Sequence, residues 1–146
     1  MTAKELAAKL TGREVGGELF PDEKRDAEEA GLVVVYGHSD DNVKFSGAIN
    51  VYWVLPNCGG MDYDEVDTIY LTKTGILEEP DCACFEDCAC PYFAAALVKS
   101  KAIRAVWHNE GGPCWTFEAE FPHETFTIME DGQPWCIGIV FHLDDL

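Results

Sequence analysis

The apolar positions change period several times along the chain, and each change marks an element. Leu6 and Leu10 stand four apart among charged and small residues, which is the stripe of a short helix. Thr2 followed by Glu5 places a capping box in front of it, and Gly12 and Gly16-Gly17 end it. Residues 21–30 open on Pro21, carry acids in the first turn and meet Gly31, the order of a helix start and stop. Almost all of 23–29 is charged, so most of this helix should be solvated. Leu32-Val33-Val34-Val35-Tyr36 is rich in β-branched residues and ends at Gly37, which predicts a buried strand. Ser39-Asp40-Asp41-Asn42 is turn chemistry. A second β region runs over 43–55 with Gly47 as its breaking point, a loop follows at 56–60, and 68–72 is a short strand.

Residues 78–90 lack periodicity and predict a loop. Pro91 suits a first helical turn, and Phe93, Ala94, Leu97 and Val98 repeat at helical spacing behind it. The last 45 residues predict an antiparallel meander. A strand at 103–108 turns at 109–112 and returns over 115–120, with Trp115, Phe117 and Ala119 on one face. Strands at 126–129 and 135–142 form a hairpin across Glu130-Asp131-Gly132-Gln133. The expected fold is α+β: one domain over 1–146, an antiparallel or mixed sheet, about three helices against it and a cysteine-rich metal loop at 78–91. A chain of 146 residues suits a single core.

Charge narrows the function. Acids number 27 and basic residues 10, a net charge of −17, yet 47% of residues are hydrophobic and 12% aromatic. That excludes a disordered acidic tail and predicts a folded globule with a negative surface. Such a surface repels nucleic acid and anionic membranes, so neither is expected as a partner. A basic protein surface is the natural one. The N-terminus reads as no secretory leader, and no apolar run approaches the ~18 residues of a membrane span, so a cytoplasmic location is expected. Between residues 45 and 98 Lys73 is the only basic residue against nine acids, and after Arg104 eight acids face none. Asp62, Asp64 and Glu65, and Glu78 and Glu79, fall in expected loops and are the first candidates for contact with a partner.

Seven cysteines in a reducing compartment point to metal or buried thiols before disulfides. Cys82, Cys84, Cys88 and Cys90 lie within nine residues as two CxC pairs separated by three residues. Four thiolates close the tetrahedral shell of a structural Zn²⁺ and leave no open position for catalysis. A helix starting at Pro91 would direct its positive end at the site and favour thiolate. Two alternatives stay open. One is a mixed site drawing on Cys58, Cys114, Cys136 or a histidine. The other is no single zinc at all, with thiols that are reduced, paired or redox-active, or that hold a multi-metal cluster.

The remaining polar groups suggest no enzyme. His38-Ser39-Asp40-Asp41 follows a buried strand, where ligand loops often sit, but also fits a polar turn. His123 beside Glu124 has the composition of a base and its orienter, but neighbours in a strand point to opposite faces. Cys114 and Cys136 adjoin Trp115 and Trp135 and read as core thiols. No phosphate-binding glycine loop, nucleophile elbow or HExxH is present.

Two stretches carry a resemblance. They are Gly31-Leu32-Val33-Val34-Val35-Tyr36-Gly37-His38-Ser39-Asp40-Asp41 through Gly47-Ala48-Ile49, and Pro122-His123-Glu124-Thr125-Phe126 through Glu130-Asp131-Gly132 to Gly138-Ile139-Val140-Phe141. With Cys90-Pro91-Tyr92 between them, the chain resembles small acidic proteins of phages and prophages of gut bacteria. That group includes a zinc-containing type II anti-CRISPR inhibitor of Cas9. The resemblance implies a phage counter-defence role in a bacterial host cell. Together with the acidic surface and the lack of a catalytic constellation, the expectation is a non-enzymatic inhibitor that binds a basic surface of Cas9 and interferes with target DNA binding. A small phage enzyme or ligand-binding protein using the 38–41 loop, and a nonspecific DNA mimic, are the alternatives.

Overall fold

The computed structural model describes residues 1–39, 42–54, 65–73, 100–108 and 111–146. Helix α1, Ala3–Leu10, begins as its sequence predicts. The Thr2 hydroxyl accepts from the Glu5 N–H at 3.1 Å, and the Glu5 carboxylate accepts from the Thr2 N–H at 3.1 Å. Leu6, Ala7 and Leu10 are its buried stripe. Helix α2, Pro21–Glu29, starts on the proline, whose missing N–H costs nothing in a first turn. Ala27 is its one buried residue, so charge covers the rest.

The strands are β1 (Leu32–Ser39), β2 (Asn42–Ser46), β3 (Ile49–Val54), β4 (Glu65–Lys73), β5 (Lys101–Trp107), β6 (Trp115–Ala119), β7 (Glu124–Glu130) and β8 (Gln133–His142). They form one sheet in the order β2-β1-β8-β6-β5-β4-β3, with β7 on the other side of β8. The two ends of this path, β2 and β3, are joined by Gly47 and Ala48 alone. Three residue steps reach at most about 11 Å. The sheet therefore curls until its ends meet, and β2 and β3 act as one strand bent at a corner. Gly47 makes that corner: φ is +139°, and a Cβ there would lie 2.9 Å from the Val33 side chain and 3.0 Å from the Leu32 carbonyl.

β8 is the centre of the sheet. β7 pairs along one side of it, closed by an Asp131-Gly132 turn in which both residues have positive φ. On the other side His142 to Ile139 pair with β1, and Cys136 and Ile137 pair with β6 in parallel. This corrects the expected antiparallel meander over the last 45 residues. β5–β6 and β7–β8 are antiparallel hairpins, but the chain crosses β8 between them, so β6 and β7 flank it. The reason lies in β8 itself, where Trp135, Cys136, Ile139, Val140 and Phe141 are all buried. A strand apolar on both faces belongs at the centre of a sheet, not at the end of a meander.

β1 is covered on both faces in the same way, and Val33, Val34 and Val35 are fully buried. α1 packs on β7 and β8, and α2 on β1. β5 alternates instead, with Ile103 and Ala105 buried and Ala102 and Arg104 exposed. The outer edge of β7 is not open. Gly12 N–H donates to Thr127 O, Met129 N–H to Arg13 O and Val15 N–H to Met129 O, at 2.7–2.9 Å. Two α-helices and a 3₁₀ turn at Leu143–Asp145 are present among the described residues. The third helix expected after Pro91 lies outside them. No helix among the described residues is long and apolar enough to cross a membrane.

Candidate functional site

The cysteine loop, with Cys82, Cys84, Cys88 and Cys90, lies outside the described residues, as do Cys58, Asp62, Asp64, Glu78 and Glu79. Glu65 opens β4, paired in register with Trp107. His38 falls within β1, while Asp40 and Asp41 are outside the description. No group of three or more metal-ligating side chains occurs among the described residues.

The two other thiols belong to the core. Cys136 is fully buried, and its Sγ accepts from the Gly37 N–H at 3.0 Å. Burial pushes this thiol up to about 12, so it stays protonated and is a poor nucleophile or ligand at neutral pH. Cys114 is half-buried, with its N–H donating to the Trp135 carbonyl. The three histidines whose side chains are described are held locally. His123 Nδ1 lies 2.8 Å from the Phe121 carbonyl, His108 Nε2 lies 2.9 Å from Thr116 Oγ1, and His142 Nδ1 accepts from the Asp144 N–H. His123 is tied back to its own turn while Glu124 is exposed, and no hydrogen bond or ion pair between them is seen.

Two surface hollows among the described residues have linings rich in polar groups. The larger, of about 910 Å³, lies over β5 and β6 and holds the Arg104–Glu118 ion pair at 3.4 Å. Lys101 lies on its border with Nζ 5.8 Å from the Phe121 ring centre, and it donates to the Asp145 carbonyl. The smaller, of about 300 Å³, lies between the segment before α2 and the β1–β2 ribbon. Register builds it: Tyr36 stands opposite Lys44, and Ser46 opposite Val34, so Tyr36, Lys44 and Ser46 share one face. Glu18, Leu19 and Lys24 close it from above. Sequence reasoning did not find this site, because its groups come from four separate segments. The alternation of polar Lys44 and Ser46 with apolar Val43 and Phe45 was its one signal.

Comparison with protein-family models, curated proteins and solved structures finds no match to this chain.

Acidic groups cover much of the remaining surface. α2 presents Asp22, Asp26, Glu28 and Glu29 to solvent. Glu14 is bridged to Met129, which brings it beside exposed Glu130 and Asp131 at the β7–β8 turn. Glu118, Glu120 and Glu124 are exposed around the β6–β7 crossing.

Proposed function

We propose that this protein acts by binding and not by catalysis: it is an inhibitor that engages the basic nucleic-acid channel of a CRISPR effector of the Cas9 type and hinders target DNA binding. The observation that carries the reading is the net charge of −17 on a folded chain. Acids are exposed on α2, at the β7–β8 turn and around the β6–β7 crossing, and the two basic residues of α2 do not balance its five acids. Effectors of this class hold their guide–target duplex in a positively charged channel, which is the complementary surface. The choice of Cas9 among basic partners rests on the family resemblance. The test is a pull-down from lysate of a Cas9-bearing host, followed by a target-DNA binding assay with purified Cas9 and guide. One stoichiometric Cas protein and lost DNA binding are expected. Capture of many basic proteins would favour a DNA mimic, and capture of none a ligand-binding protein.

We further propose one structural Zn²⁺ per chain on Cys82, Cys84, Cys88 and Cys90, because four local thiolates satisfy a closed site. Metal analysis of protein purified without added zinc should give one equivalent. Metal-free protein with four freely reactive thiols in the 82–90 segment would refute it.

A further inference from the structure

The segment after α1 takes the place of a strand beside β7, yet little apolar packing holds it there. Three backbone bonds attach it: Gly12 N–H to Thr127 O, Met129 N–H to Arg13 O and Val15 N–H to Met129 O. Between its ends Glu14 is exposed, and Arg13 and Val15 are half-buried. Stretches with few buried apolar contacts sit at the low end of local stability. A glycine in the left-handed region bounds it on each side, Gly12 at φ +91° and Gly16 at φ +98°, with open space where a Cβ would lie. These are pivots that no side chain obstructs. Beyond the second pivot Glu18 is buried and anchors the chain. What fixes the segment is ionic. Arg13 gives two guanidinium nitrogens to Glu23 of α2, its Nε to the Lys9 carbonyl at 3.2 Å and Nη1 also to the Glu18 carbonyl at 3.3 Å. A two-point arginine–carboxylate pair is among the stronger hydrogen-bonded contacts, and here it holds the residue whose carbonyl receives Met129.

We propose that residues 13–15 form a strap that swings off β7 as a unit about Gly12 and Gly16 while the sheet stays folded, and that the Arg13–Glu23 pair is its latch. Opening frees the Met129 N–H and the carbonyls of Thr127 and Met129 together, because one short segment carries all three bonds. The outer edge of β7 is then a row of unpaired backbone groups, the form to which an extended segment of another chain can add. Closed, the strap withholds that edge. The device works whatever protein the acidic surface meets.

The experiment is native-state hydrogen exchange on the full-length protein at neutral pH, repeated across low denaturant concentrations. The amides of Gly12, Val15 and Met129 should exchange through one common opening, at least about tenfold more readily than the protected amides of β1 and β8. Their exchange should depend little on denaturant, since the opening exposes little surface. Glu23→Gln should speed exchange at these three amides about 10–100-fold, the loss of a charged hydrogen-bonded pair, and leave their denaturant dependence small. If the three carry the full denaturant dependence of the core, the strap leaves only on global unfolding. If they open with three unrelated free energies, the segment frays and is no unit. If Glu23→Gln leaves their exchange unchanged, the pair is no latch. Each of these results overturns the proposal.

Discussion

Close contacts at single residues show how tightly the sheet is wound. Gly138, in the middle of β8, leaves no room for a side chain: a Cβ would lie 2.3 Å from the Phe126 ring and 2.7 Å from the Val35 carbonyl. Its backbone could accept alanine, so the obstacle is space. Gly138→Ala should cost about 2–3 kcal/mol in denaturant unfolding, because the Val35 carbonyl belongs to the backbone of β1 and cannot swing away. Wild-type stability in this variant would mean that β1 and β8 lie further apart than described. Gly37 shows the same crowding, with a would-be Cβ 2.1 Å from Trp115. Neither glycine announces this in the sequence. Gly37 reads as the end of a strand and Gly138 lies unmarked inside the 135–142 strand, because the groups that crowd them are many residues away. The buried state of Cys136 was legible from its tryptophan neighbour, whereas the Gly37 N–H that meets its sulfur was not.

Among the elements, the two helices are coupled by a carboxylate that their separate patterns do not reveal. Glu23 receives Arg13 in a two-point pair, Nη1 to Oε1 at 2.5 Å and Nη2 to Oε2 at 2.6 Å, with Lys9 at 3.2 Å. It also accepts from the Phe20 N–H at 3.2 Å, which caps α2 where Phe20 itself has no capping oxygen. The Arg13 guanidinium is the main cause that lowers this carboxyl to about 2. A depressed acid stabilises the fold above its unfolded pKa, and that stability is lost as pH falls toward its folded value. Glu23→Gln should therefore cost about 1.5–3 kcal/mol at neutral pH. The gap from wild type should close between pH 4.5 and about 2. A gap that is flat across this range in acid titrations of unfolding would show that the pair contributes only packing. The boundaries of both helices were legible because caps, proline and glycine act locally. The clamp between them joins residues ten apart across a turn, and no periodicity encodes that.

The whole molecule shows a similar division. Every strand among the described residues had its signal in β-branched runs, alternation and turn glycines, and the break at Gly47 was visible too. Strand order was not, since it follows from which strands are apolar on both faces and must be central. The acidity that dominates the composition acts at this scale as a field. Charges at the surface reach about 8 Å at physiological ionic strength, so they act chiefly on the rate of encounter with a basic partner. If Cas9 is the partner as proposed, reversing Asp62, Asp64 and Glu65, Glu78 and Glu79, or Glu130 and Asp131 should slow association with it in at least one cluster. Raising salt should do the same to the parent protein, with smaller effects on dissociation. Association rates indifferent to both would reduce the acidity to a solubility feature.

The central place of β8 also decides when this protein can fold. Its first long partner, β1, is complete by residue 39, but Leu32 meets His142 and Val35 meets Ile139, roughly a hundred residues later in synthesis. At ordinary elongation rates of about 5–20 residues per second, β1 waits several seconds with one edge unpaired. During that interval its apolar run is the segment most prone to wrong pairing. The like charges already made on the nascent chain oppose such contacts between neighbouring ribosomes. A chain stopped at residue 132 should therefore lack a cooperative thermal transition, although seven of the eight described strands are present. Neutralising its acids should make it precipitate.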